Sequence, residues 1–406
     1  MTAMIQRSWM VRNSYAINAY FSRYQCLKWI TLCTCLFLLL PMLSKAQDSL
    51  NTVKKNEAPT FHLGGAIRFN YNNSSWKKEQ VKRGGDFGYD MFRINADAAW
   101  KKLSMHAEYR FYSKDFGGGM LKEGYVTYHF NDSTKIDIGL NQVPFGNITY
   151  NSHSWFFNLP YYVGKEDDYD MGVKFERITP KWKYELAFFK NAEEINFGDN
   201  TPTDPSRYSY DVAGRNKEVN QGNARAEYFI NKDNSIGASV MAGGLYNLST
   251  RDMGNHFAAA LHANLNYRKW NLKLQSMYYQ YNVADSAQYK DAVDMAAYGA
   301  AYQVAAKAFI HTASLSFTQP VKWGPISSLT FYNDYSYMDK KVTGFEDSQM
   351  NVLGCMITAG HIFTYIDWAA GKNHPWLGPV WDDALAAGTP GEKWHSRFNI
   401  NIGYYF

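Results

Sequence analysis

The residues of this 406-residue chain that could act on another molecule are charged groups spaced two apart. Lys102 to Tyr112 shows the pattern: Ser104, His106, Glu108 and Arg110 alternate with Leu103, Met105, Ala107, Tyr109 and Phe111. A period of two sends successive side chains to opposite faces of a strand, so such a segment has one apolar and one ionic face. The same parity puts Arg68, Arg93, Arg110, Lys174, Arg225 and Arg268 on polar faces, with Glu108, Glu123, Asp137, Asp170, Glu176 and Glu227 facing them. Facing rows of opposite charge would set a transverse field across any solute passing between them. Alternatively, the same groups pair across neighbouring strands and keep a wall hydrated and rigid.

Bond-making chemistry has no comparable support. There is no G-x-S-x-G elbow, H-E-x-x-H zinc helix, P-loop or EF-hand loop. His311 and Ser314 stand three apart, so on a strand they point to opposite faces and cannot serve as base and nucleophile. The ten histidines have no metal-ligand spacing. We expect no catalytic residue, no cofactor and no metal.

The first residues narrow the compartment. An apolar run, Trp29 to Leu43, follows Arg7, Arg12, Arg23 and Lys28, the order of a secretory signal. At roughly fifteen residues it falls short of the ~20 a spanning helix needs, and Pro41 interrupts it. Ser44-Lys45-Ala46 puts small residues at the cleavage-determining positions, so residues 1–46 are expected to be a cleaved signal peptide; Met4 or Met10 is an alternative start. That segment carries five of the 42 Lys and Arg and none of the 37 Asp and Glu, which leaves 42 − 5 = 37 basic against 37 acidic groups. A neutral balance gives a nucleic-acid partner no support. Cys355 alone remains of the four cysteines, so neither an internal disulfide nor a cysteine zinc site can form.

Residues 47–60 read as a short polar lead-in, and 61–406 as one domain. No later apolar run is long enough for a spanning helix, yet alternation recurs: Phe61 to Tyr71 with Arg68 and Asn70 on the polar side, Phe92 to Trp100, Tyr169 to Phe175, and Phe257 to Tyr267. Lipid accepts only helices or closed barrels, because unpaired backbone groups in hydrocarbon are costly. Apolar faces begin or end at aromatics such as Trp100, Trp182 and Trp270, as interfacial girdles do. Tight turns near Lys101, Asn131–Thr134, Thr179-Pro180, Asn231–Ser235 and Lys269 alternate with long connections at about 72–86, 144–168, 191–221 and 282–293. The parity blurs between about 294 and 348. The expectation is an all-β transmembrane antiparallel barrel of about 16 strands, with 14 or 18 open, in the outer membrane of a Gram-negative-type cell. Its last strand ends in Phe406, with Phe398, Ile400, Ile402 and Tyr404 on the lipid side.

Ile136-Asp137-Ile138-Gly139-Leu140-Asn141-Gln142-Val143-Pro144-Phe145-Gly146, followed by Tyr169-Asp170-Met171-Gly172-Val173-Lys174, resembles the strand, constriction loop and return strand of the phosphate-selective porin O and P family. The resemblance implies a sixteen-stranded anion-transporting porin, usually a homotrimer, embedded in outer-membrane lipid, with phosphate or other small anions as solutes. Members with strong phosphate selectivity carry a dense ladder of arginines and lysines, whereas the polar faces here mix both signs. The alternative is an adhesin or structural barrel with no open channel.

Asn147 to Asp168 lacks alternation yet carries Tyr150, Trp155, Phe156, Phe157, Tyr161 and Tyr162. That much aromatic surface needs a partner. We expect this loop to fold into the barrel at its narrowest point, with Lys165, Glu166, Asp167 and Asp168 at the constriction or its rim and weak ion selectivity as the result. The other reading has it packing outside, on a neighbouring subunit.

Overall fold

A computed structural model describes residues 58–148, 150–193 and 198–406. The expected signal peptide and its cleavage site lie outside the described residues.

Strands β1 (Thr60–Ser74), β2 (Asp86–Trp100), β3 (Leu103–Phe111), β4 (Gly119–Asn131), β5 (Thr134–Gln142), β6 (Tyr169–Ile178) and β7 (Trp182–Asn191) follow one another around a wall. A two-residue strand, β8 (Asp211–Val212), lies off it. Then β9 (Asn216–Phe229), β10 (Ser235–Asn247), β11 (Met253–Tyr267) and β12 (Trp270–Asn282) continue it. β13 (Ala292–Ala297) and β14 (Ala300–Ala305) leave the wall again. β15 (Lys307–Trp323), β16 (Ile326–Lys340), β17 (Ser348–Ala359), β18 (Ile362–Lys372) and β19 (His395–Tyr405) complete it.

All neighbours are antiparallel, and β1 pairs with β19 from Ala66 opposite Tyr405 to Ser74 opposite Arg397. This closes a sixteen-stranded barrel with no free edge, the condition for strands to cross lipid. The seam continues to the last residue: Gly65 N donates to Phe406 O at 2.9 Å, and Phe406 N to Gly65 O at 3.0 Å.

Alternation sets the two faces of the wall. Leu103, Met105, Tyr109 and Phe111 are exposed outside, while Glu108 and Arg110 are buried inside. Trp100, Trp182, Trp270 and Trp323 are exposed at the strand ends beside short turns, forming one girdle. Arg268 departs from its expected place. It is exposed in the tight turn between β11 and β12 with φ 56°, because the chain reverses after Tyr267 and parity cannot be carried past that point.

The first part of the stretch with blurred parity, up to Ala305, has a structural reason, whereas β15 and β16 beyond it are ordinary alternating wall strands. β13 and β14 form a hairpin inside the barrel, with β8 as a third strand. Its two-residue loop is Tyr298-Gly299, with φ 53° and 78°, the left-handed pair a tight hairpin favours. The hairpin leaves the wall between β12 and β15, and its tip packs on the β3–β4 connection, where the Tyr298 ring lies 5.4 Å from Tyr112 and 4.9 Å from Phe116. One way round, β15, β16, β17, β18, β19, β1, β2 and β3 separate these two places; the other way, β12, β11, β10, β9, β7, β6, β5 and β4 do. The hairpin therefore spans the diameter.

Candidate functional site

The segment between β5 and β6 enters the lumen, as its aromatic load requires. Gly146 N donates to Ser239 Oγ (2.9 Å), Asn147 N to Gln275 Oε1 (2.9 Å), His153 N and Ser154 N to Asp334 Oδ2 (2.9 and 2.7 Å), and Leu159 N to Ser336 Oγ (3.2 Å). Lys273 Nζ donates to the carbonyls of Tyr150 and Ser152. These partners lie near the middle of β10, β12 and β16, so the loop crosses at mid-height. Leu159, Tyr161 and Tyr162 are buried by it. Gly164, at φ 66°, makes the return bend where a Cβ would stand 2.7 Å from Tyr210 O. The alternative of a loop packed outside the barrel is thereby overturned.

The inward loop fills the side of the lumen that faces β10 to β16, and the hairpin reaches from that side to the β3–β4 connection. What stays open is a cavity of about 780 Å³ against the opposite wall. Its lining begins at Ser74 and Lys77 near the long-loop rim and reaches Phe363 and Tyr405 beside the short-turn rim. It therefore extends along the wall rather than sitting at one level.

Three of the arginines read from parity meet there. Arg68 Nε lies 2.9 Å from Asp90 Oδ2, with its guanidinium 4.0 Å from the Trp155 ring centroid. Arg93 and Arg110 stand directly opposite each other on β2 and β3, like charges that would repel. Glu108 bridges them, 3.1 Å from Arg93 Nη1 and 2.5 Å from Arg110 Nε. Arg110 also lies 4.3 Å from the Tyr208 ring centroid.

The remaining expected residues lie elsewhere. Arg225 is buried and bonds Glu185 (2.8 Å), Glu227 (3.0 Å) and Gly146 O (2.8 Å), which clamps the start of the inward loop. Lys174 donates to Gln142 O, and Asp137 accepts from Thr127 Oγ1 at 2.7 Å. Glu123 pairs with Lys122, and Glu176 with Lys183. Asp170 is buried beside Gln221. Among the described residues these groups are held by partners on the same or nearby strands, or by the inward loop, and do not form facing rows of opposite charge across the lumen.

The charged run of the loop also differs from expectation. Lys165, Glu166, Asp167 and Asp168 are buried against the loop's own anchors and do not line the cavity. Lys165 Nζ lies 3.6 Å from Glu218. Asp167 accepts from the hydroxyls of Tyr169 (2.8 Å) and Tyr208 (2.6 Å), while burial pushes its carboxyl above the ordinary range. With these acids withdrawn, the charged groups lining the cavity are Arg68, Arg93, Arg110, Arg397 and Lys77 against Asp86 and Asp90.

Arg397 was not singled out by sequence reasoning, although parity puts it on the polar face of the last strand. Tyr208 and Tyr298 were also missed, since both come from segments with no periodic signal.

No family model matches the chain, and no curated protein is similar to it in sequence. Solved structures are similar in fold. A trimeric form of OmpT, an outer membrane protein of Vibrio cholerae, superposes with a TM-score of 0.56 at 13% identity, covering 86% of this chain and 100% of that one. The outer membrane channel DcaP of Acinetobacter baumannii gives 0.55 at 11% identity, with 87% and 99% covered. An anion-selective porin from Comamonas acidovorans gives 0.56 at 12% identity, with 86% and 100% covered.

Proposed function

We propose that this chain is a non-catalytic outer-membrane porin, inserted after loss of residues 1–46, through which small solutes diffuse passively. The observation that supports this most is the cavity running along the wall from Ser74 to Tyr405 beside an inward loop at mid-height. A barrel that served only as an anchor would not need a polar, arginine-lined cavity along its inner wall. The excess of arginine over carboxylate on its lining favours anions, phosphate among them, over the weak selectivity read from the sequence. Fold neighbours described as an anion-selective porin and an outer membrane channel agree with the reading. The trimeric neighbour makes a homotrimer the natural assembly.

One observation favours a closed barrel instead. The hairpin across the diameter and the buried tyrosines under it occupy much of the mouth. Purified protein in planar bilayers decides between them. Stepwise conductance with a reversal potential on the anion side in a KCl gradient is the expected result. A folded, heat-modifiable barrel that gives no steps would make it an anchor or adhesin.

A further inference from the structure

Half of the residues lining the cavity are Phe, Tyr or Trp. A passage for hydrated inorganic ions gains nothing from such a surface, because aromatic faces offer a hydrated ion no strong hydrogen bonds to replace its water. The lumen arginines also differ in how far their charge is already answered. Arg68 has Asp90, and Arg93 and Arg110 share Glu108. Arg397 donates through Nε to Ser74 Oγ at 3.1 Å and has no carboxylate partner among the described residues. Its guanidinium lies 5.4 Å from the Trp76 ring centroid, and Tyr162 and Trp376 line the same cavity.

We propose that Arg397 and the aromatic side chains near it form a binding station for organic anions with a flat apolar body, arylcarboxylates being the simplest, at the outer end of the passage. The proposal rests on the channel reading for its purpose. A guanidinium fork matches a carboxylate in plane, and the ring of such a ligand stacks on Trp or Tyr. A cavity of about 780 Å³ is in the range that encloses a small organic molecule. Arg397 is opposite Ser74, and Arg68 lies six residues further along β1, about 20 Å at the usual strand rise. Asn70 and Asn72 line the interval, so a released anion passes hydrogen-bonding groups before it meets the Arg68, Arg93 and Arg110 cluster.

The test is isothermal titration calorimetry on the full barrel in detergent, with benzoate, acetate, inorganic phosphate and benzyl alcohol as probes. Benzoate is expected to bind about tenfold or more tightly than each of the others, since only it uses both the charge and the rings. Arg397→Gln should remove about tenfold of that affinity or more, and Arg268→Gln, in an exposed turn, should remove none. Phosphate binding as tightly as benzoate overturns the proposal, and so does benzoate affinity unchanged in a folded R397Q barrel. Should R397Q fail to fold, the ranking on the wild-type protein still decides. Bilayer steps without a benzoate preference overturn the station alone. A benzoate preference without steps supports the station and removes the channel.

Discussion

The phenol oxygens of Tyr161 and Tyr298 lie 2.5 Å apart and join the loop crossing the barrel at mid-height to the tip of the hairpin across its mouth. Both rings are largely buried, and each hydroxyl is the other's hydrogen-bond partner. Tyr298→Phe leaves the Tyr161 hydroxyl alone, a loss of about 1–3 kcal/mol. The expected outcome is a lower temperature for conversion of the folded to the unfolded band on heat-modifiable electrophoresis. An unchanged temperature would mean that the two elements hold their places independently.

Deleting residues 150–162 removes the part of the loop that reaches β15 and β16. Single-channel conductance should rise, because nothing else among the described residues fills mid-height on that side. Oligomers should persist, since the loop's partners are in its own barrel. Unchanged conductance with lost oligomers would assign the loop to a subunit contact.

The wall was legible in the sequence because each strand meets lipid on one side and polar lumen on the other, and that difference is written as a period of two. β13 and β14 were not, because they are only six residues each and meet protein rather than lipid: Val293, Met295, Tyr302 and Val304 are buried, and the small residues Ala296, Ala297 and Ala305 are buried beside them, which leaves too short a period to read. The site was legible only as parity. Parity put Arg68, Arg93 and Arg110 on polar faces without showing that they share one cavity, and it ran past the chain reversal at Arg268. It gave Arg397 its face but could not show a missing partner, which depends on strands distant in sequence. Nor could it foresee the burial of Lys165 to Asp168, which depends on Tyr208 and Glu218 from separate segments.

Phe406 pairs through both backbone groups with Gly65, and its ring packs against the same residue, where a Cβ would stand 2.7 Å from it. Removing Phe406 therefore opens the last rung of the β1–β19 seam and deletes an exposed aromatic from the short-turn girdle. We expect less assembled barrel in membranes with the export step intact, read as unfolded band accumulating at the processed size. Equal yields of folded band would show that the seam closes without it.

Glu166 supplies a pH dependence with a definite sign. Its Oε1 accepts from the Asn151 N–H at 2.9 Å, while Oε2 is buried with no partner among the described residues. Burial pushes this carboxyl up to about 8 from an ordinary 4.5, and Asp167 and Asp334 add to the rise, while the Asn151 N–H and Lys273 oppose it. In the unfolded chain the group ionises near its ordinary value, so between the two the folded state holds a proton that the unfolded state has lost. Stability from this group is thus full below about 4.5 and is lost as pH rises to about 8. Above that the carboxylate is charged inside the loop, and its escape toward water should loosen the segment from Asn151 to Glu166. The expected result is a lower unfolding temperature and noisier open-channel current at pH 9 than at pH 6. Glu166→Gln keeps the shape and the acceptor for Asn151 but cannot ionise, so it should flatten both trends. A pH profile for E166Q that matches the wild type would show that another group loosens the loop.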